Sequence, residues 1–377
     1  MKKILWAVLI IIIILCIGKY GGSPSERSAE AIKIGALLPI TGKLAGYGED
    51  VRNAMILAAE KLSTEGVMFD VVYEDSAADA KTSLSAAQKL INVDKVPLVV
   101  GGPGSTAALA VAPAFEEGAT LFFPISNTPK LNDAGKYIFK MLYDVDSEMP
   151  PMAQYLLKKG MKRVGVLYDS SSDSNVVGAQ VFQAEFEKVG GKVVFFEGFD
   201  SKTVNDFRAQ LTKLKAIAPD ALYQVTSEKS AGVIVRQARE IGLSMLMVGW
   251  SGLNGSDFFS GAGTYADGVV ITDQPFSCAD APSAYCETYQ ARFADRIPQQ
   301  YGAIAHDIVT LLGRAVEEMS IKGPDIDSTE KQKLIAYFTN HEYRGVSGTL
   351  KFDGDGNIRD KDFVFRIAKD GKFVDMK

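Results

Sequence analysis

Short apolar runs alternate with amphipathic stretches of helical length twice along this chain, and few folds are compatible with that alternation. After residue 31, IKIGALLP, FDVVYED, VPLVVGG and ATLFFP read as strands, with residues 49–63, 80–93 and 105–117 between them as helices. A second round opens near Lys162 with RVGVLYD, KVVFFEG, DALYQV and MLMVGW, and its helices fall near 176–189, 204–216 and 229–242. Such alternation predicts parallel sheets covered on both faces, because each crossover helix must lie against the sheet it connects. The expected class is α/β, with two doubly wound parallel-sheet lobes, and residues 143–151 (YDVDSEMPP) as a crossing between them. Helices at about 301–319 and 328–339 follow, then from Gly348 a run of β-hairpins with DGDGN and KDGK turns.

Composition narrows the class. A chain of 377 residues has length for two sizeable cores, and 47% hydrophobic with 23% charged residues is ordinary globular usage. The net charge of −5 and the lack of a basic stripe with interleaved aromatics argue against a general nucleic-acid binder. Two histidines and three cysteines leave little material for a transition-metal site, and no cofactor is expected.

The first residues carry an address. MKK precedes an unbroken apolar run from Ile4 to Gly18, then a polar stretch to Ala31. A basic start and a short apolar run describe a secretory signal, whereas a spanning helix needs roughly 20 apolar residues. Residues 1–31 are therefore expected to be a signal peptide or an N-terminal membrane anchor, and the rest periplasmic or otherwise extracytoplasmic. Cys16 follows Leu15, where a lipoprotein site has a small residue. Outside the cytoplasm, Cys278 and Cys286 in CADAPSAYC are expected to close a disulfide loop.

Catalytic motifs fail one by one. Gly102-Pro103-Gly104-Ser105-Thr106-Ala107 fits a dinucleotide turn, yet the next strand's end, Leu121 to Ser126, carries no acid for a ribose. Gly42-Lys43 lacks the preceding Gly (Leu37) and the following Ser/Thr (Leu44) of a phosphate loop. Gly249-Trp250-Ser251-Gly252-Leu253 ends in Leu where a nucleophile elbow needs Gly. Asp353-Gly354-Asp355-Gly356-Asn357 lacks the distal Glu of a calcium loop and reads as a β-turn, and His306-Asp307 reads as a satisfied helix face. The chain is not expected to be an enzyme; a secreted α/β hydrolase is the weaker alternative.

What remains is a set of short polar side chains at strand ends. Residues 98–131 run strand, Gly/Ser loop, Ala-rich helix, strand, Ser-Asn-Thr loop, which sets free N–H groups and a helix dipole around one concave point. Tyr47, Ser105, Ser126, Asn127 and Thr128 lie at such ends in the first round; Asp173, Thr226, Ser227, Trp250 and Ser251 do so in the second. Ligands of open α/β sheets bind beyond the carboxyl ends of the strands. Two facing edges would form a cleft.

In IKIGALLPITGKLAGYGEDVRNAMILAAEKL, GGPGSTAALAVAPAFEEG, FFPISNTPKL, RVGVLYD, VIVRQAREIGL and the closing FDGDGN and DGKF turns, the chain resembles the type I periplasmic binding proteins of the leucine/isoleucine/valine group. The resemblance implies two lobes joined by three crossings, the second and third near Asp273 and Gly345. The first lobe would then be 32–145 plus 275–345, and the second 146–274 plus 346–377. It also implies a small polar solute (amino acid, carboxylate or amide) closed between the lobes, a membrane permease of an ABC transporter as partner, and a monomer. A ligand-sensing ectodomain is the alternative on the same fold. Residue by residue, Ser105 and Asn127 match the carboxylate-holding positions and Tyr47 the loop aromatic. The position of the carboxylate that receives the ligand's ammonium holds Ser251, and second-lobe aromatic positions hold Asp173 and Ser227. Either Asp173 receives the ammonium from the other side, or the ligand has none.

Overall fold

The structure, a computed structural model, describes residues 31–276, 278, 283–294, 296–358 and 363–376. The expected signal or anchor, and the interior of the CADAPSAYC loop, lie outside the described residues. Among those described, no helix is long and apolar enough to cross a membrane.

The first sheet contains four parallel strands, β1 (Ile32–Leu38), β2 (Phe69–Asp75), β3 (Leu98–Gly101) and β4 (Leu121–Pro124), in the order β2-β1-β3-β4. Its central strands bury side chains on both faces. Ile34, Ala36, Leu98 and Val100 join one core cluster with Met55 and Ile308; Leu37 and Val99 join another with Leu90 and Phe115. This is the pleat's period of two at work in a sheet with two covered faces. Helices α1 (Ala45–Thr64), α2 (Ala80–Asn92) and α3 (Ser105–Glu117) make the crossovers. α2 begins on an Asp79 side chain that accepts from the Lys81 and Thr82 amides.

The second sheet runs β13-β12-β9-β8-β7-β5-β6. Its strands are β5 (Arg163–Asp169), β6 (Lys192–Phe199), β7 (Ala221–Val225), β8 (Leu246–Gly249), β9 (Val270–Asp273), β12 (Val364–Lys369) and β13 (Lys372–Asp375). Strands β5 to β9 are parallel, while β12 pairs antiparallel with both β9 and β13. Helices α4 (Val145–Lys158), α5 (Asp173–Lys188), α6 (Arg208–Ile217), α7 (Glu228–Glu240) and the short α8 (Ser256–Ala262) belong to this round. α9 (Ala284–Arg292), α10 (Gln300–Glu318) and α11 (Ser328–Asn340) follow; α10 lies along α1, with Ile304, Ile308 and Leu312 in the first core.

Two sequence expectations change. Residues 143–151 are a crossing only in part, because α4 begins at Val145 and buries Val145, Met149, Met152 and Leu156 in the second core. Residues 346–358 are expected in the second lobe, yet Leu350, Phe352 and Ile358 pack into the first core. Strands β10 (Tyr343–Gly345) and β11 (Gly348–Leu350) form a hairpin whose turn is held by Asp307, which accepts from the Val346 and Ser347 amides and the Ser347 hydroxyl. The Asp353 carboxylate closes the DGDGN turn on the Asp355 and Asn357 amides, and the Gly356 carbonyl accepts from the Lys140 amide. The chain returns to the second sheet only with β12.

Cys278 and Cys286 are disulfide-bonded, with Cα atoms 5.7 Å apart. The bond ties α9 to Cys278 just before it, and both cysteines are buried in a cluster with Ala54 of α1, Tyr289 of α9 and Ala303 of α10.

Candidate functional site

The carboxyl ends of the two sheets face each other across a cavity of about 410 Å3. From the first lobe it is lined by the β1–α1 loop with Tyr47, by Ala77–Asp79, by the start of α3 and by Asn127. From the second it is lined by the β5–α5 loop, by Ser201 and Lys202, by Thr226 and Ser227, and by Trp250 and Gly252.

The start of α3 is built for an anion. Its N-cap Gly104 sits at φ +141, a conformation that L residues rarely adopt, and provides no side chain to cap the first turn. The first-turn N–H groups and the positive end of the helix dipole therefore face the cavity. Beside them, the Ser126 hydroxyl donates to Ser105 Oγ (2.8 Å), which donates across the cleft to Ser174 Oγ (3.1 Å).

The lobes are closed on one another. Tyr47, 4% exposed, donates its hydroxyl to the Gly252 carbonyl (2.8 Å) and accepts from the Glu228 amide (3.2 Å). Burial, with Glu228 nearby, raises its phenol well above the ordinary range, so it remains a donor. Its ring meets Tyr301 of α10 edge to face at 5.1 Å. Thr106 Oγ1 donates to the Ser171 carbonyl and accepts from the Asp173 amide. At the rim, Asp173 pairs with Lys130 and accepts from Thr128 Oγ1, while Lys202 reaches Asp79 at 3.4 Å.

The residues expected from sequence take four different places. Tyr47, Ser105, Asn127, Thr226, Ser227 and Trp250 line the cavity. Ser126 stands behind Ser105, and Thr128 and Asp173 form the rim clasp. Ser251 is turned away: its amide and hydroxyl donate to the buried carboxylate of Glu148 at 2.6 and 2.9 Å. Glu148 also accepts from Thr272 Oγ1 (2.8 Å) and Tyr143 Oη (3.0 Å). The structure adds lining residues that sequence reasoning passed over, notably Lys43, Asp169, Ser174, Asn175 and Tyr301. Asp169 was visible as the last residue of a strand; nothing in the sequence around Tyr301 marks it as reaching the cleft.

Residues 31–372 match the family model described as periplasmic binding protein. The chain belongs to the periplasmic binding protein family. A curated relative of this periplasmic binding protein is the leucine-, isoleucine-, valine-, threonine- and alanine-binding protein of Pseudomonas aeruginosa, 26% identical over 95% of each chain. A branched-chain amino acid transporter substrate-binding protein from Streptococcus pneumoniae, solved with isoleucine, superposes with a TM-score of 0.81 at 25% identity, covering 92% of this chain and all of that one (100%). An ABC transporter solute-binding protein from R. palustris, solved with benzoate, gives a TM-score of 0.83 at 19% identity over 92% of this chain and 95% of that one. The family captures solutes for ABC transport, and in this periplasmic binding protein the space closed between the lobes is the cleft described above.

The rim clasp yields a testable outcome. Lys130 is 59% exposed, so its pair with Asp173 is worth at most about 1 kcal/mol after solvent screening. Asp173→Ala is expected to speed ligand release up to about fivefold while leaving the order of ligand preference unchanged. Stopped-flow release measurements check it; a selective loss of amine-bearing ligands would instead make Asp173 an ammonium partner.

Proposed function

We propose that this protein captures a small carboxylate-bearing solute that lacks an ammonium group, and passes it unchanged to the permease of an ABC transporter. The carboxylate would sit at the start of α3, against Ser105 and the first-turn amides, with Asn127 beside it. The observation that carries the reading is the state of the position where the resemblance implies an acid for a ligand's ammonium. Ser251 replaces an acid and is held by Glu148. Asp173 is held by Lys130 and Thr128, and Asp79 caps α2 and meets Lys202. Asp169 accepts the Ser171 amide and hydroxyl and the Ser201 amide. A ligand ammonium beside Ser251 would enter a desolvated site without a counter-charge at that position, at a cost of roughly 3–5 kcal/mol; Asp169, whose hydrogen bonds all fall on Oδ1 and come from neutral donors, is the cleft carboxylate that Asp169→Asn would test as an alternative partner.

Closure follows from shared contacts: each lobe supplies part of the wall, so the ligand stabilises the closed form. We place two of the crossings near residues 143–145 and near 274–276. The test is a thermal-shift screen pairing each amino acid with the matched acid lacking the amine, together with mass spectrometry of whatever co-purifies. A ligand at 100 times its Kd adds about 2.7 kcal/mol of stability. Larger shifts with the amine-free acids support the reading, whereas larger shifts with the amino acids overturn it. Turnover of a bound acid would overturn the non-catalytic role.

A further inference from the structure

Among the described residues, four charged side chains line the cleft: Lys43, Asp79, Asp169 and Lys202. Asp79 and Lys202 meet each other at 3.4 Å. The other two are without an ion pair. Lys43, in the β1–α1 loop of the first lobe, donates at 3.4 Å to the neutral Asn205 Oδ1, and among the described residues no carboxylate pairs with it. Asp169, at the end of β5 in the second lobe, uses Oδ1 alone for the Ser171 and Ser201 donors. Its Oδ2 accepts no hydrogen bond among the described residues and is not sealed from solvent. The side-chain amide of Asn175, also in the lining, is likewise without a partner there and open to the cavity. Partial burial lowers the Lys43 pKa, and Asp169 is the charge that most opposes this, so the two ions sense each other across the cleft.

We infer that the ligand ends in a carboxamide opposite its carboxylate, and that Lys43 and Asp169 select that end. This rests on the carboxylate reading above and names the rest of the molecule. A full charge placed between the two ions meets one of like sign: Asp169 repels a second carboxylate, and Lys43 repels an ammonium. An apolar end desolvates both ions and pairs with neither. A carboxamide suits both, because its oxygen accepts from the Lys43 ammonium while its NH2 group donates to Asp169 Oδ2. Asn175 offers both a donor and an acceptor to the same kind of group. Since the two ions belong to different lobes, the amide is gripped from both sides in the closed form and adds to the stability of closure.

The test is isothermal titration of the full protein with acids that share one carboxylate and differ at the far end. Glutaramate carries an amide there, glutarate a carboxylate, 5-aminopentanoate an ammonium and pentanoate a methyl group, and the corresponding four-carbon set is run alongside. The amide-ended acid is expected to bind about tenfold more tightly than the methyl-ended one. Asp169→Asn keeps an oxygen for the Ser171 and Ser201 donors and is expected to move the preference to the dicarboxylate. Lys43→Met is expected to move it to the ammonium-ended acid. Opposite shifts of this kind follow from charge facing the ligand, which a merely structural role would not produce. Equal binding of the amide-ended and methyl-ended acids, or an unchanged order of preference in both variants, overturns this inference and leaves the carboxylate reading standing. Glutamine, which is glutaramate with an added ammonium, separates the two claims. Tighter binding by glutamine than by glutaramate, with glutaramate still above pentanoate, supports the amide end and overturns the amine-free reading. No binding by any acid of either set overturns both.

Discussion

Replacing Arg366 with Met is expected to destabilise the protein by about 3–5 kcal/mol, because it leaves a buried carboxylate without its partner. Arg366 is 2% exposed, yet it is a charged side chain on a strand. Its Nη1 pairs with Asp273, Nε donates to Asp375 (2.8 Å) and Nη2 to the Phe276 carbonyl (2.9 Å). Asp273 is itself 1% exposed at the end of β9, and burial holds its pKa up at about 6 despite the guanidinium beside it. Without Arg366 that pKa must rise further. The loss should therefore be larger at pH 8, where Asp273 must be charged or take a proton, than at pH 5.5. Urea titration at the two pH values measures both parts. The double variant Arg366→Met with Asp273→Asn should recover part of the loss, since no unpaired charge remains; equal stability of the single variant and the parent would refute the argument. β12 pairs antiparallel with β9, so Arg366 and Asp273 tie together the two neighbouring strands where the parallel part of the second sheet meets its antiparallel edge.

Much of this architecture is legible in local sequence. The expected helix at 105–117 coincides with α3, because Gly104 and Gly118 bracket an Ala-rich run. Alternating strands and helices specify the parallel sheets, since the buried strands are mostly apolar, with Gln224 in β7 and Thr272 and Asp273 in β9 as buried polar exceptions. α4 is hidden by Pro150 and Pro151, which argue against a helix, yet the burial of Met149, Met152 and Leu156 outweighs their local cost. In the site, side chains at strand ends facing the cavity are found because strand ends are visible in sequence. Their partners are not. Asp173 looks like a free acid until Lys130, 43 positions earlier, is seen to reach it from the other lobe. Glu148 carries no signal at all: its partners Ser251 and Thr272 lie 103 and 124 positions away. Whether a polar group is available to a ligand depends on such distant contacts.

Glu148 leads to the second large effect, a stability that falls as pH rises through neutrality. Burial is the main cause that lifts its pKa to about 7, and the same cause holds Asp50 at about 7 and Glu228 at about 8, the last with Asp257 adding repulsion. In the unfolded chain these carboxyls ionise near pH 4. Between those values the folded protein binds more protons than the unfolded one, so the slope of unfolding free energy against pH is negative. Stability is fully present below about pH 4 to 5 as far as these groups are concerned, and is lost as pH rises through 6 to 8. A carboxyl raised from 4.5 to about 7, as for Glu148, accounts for up to roughly 3 kcal/mol by pH 8, and neighbouring groups contribute less than their sum. The midpoint of urea unfolding is therefore expected to be higher at pH 5.5 than at pH 8; a flat or reversed profile would contradict the argument. Glu148→Gln isolates one share. The amide oxygen can take the Ser251 amide and Thr272 hydroxyl that now meet Oε1, and the NH2 group can donate to the Ser251 and Tyr143 hydroxyls that now meet Oε2. The variant should thus be close to the parent at pH 5.5 and more stable than it at pH 8, because a neutral side chain replaces a buried charge that lacks a cationic partner.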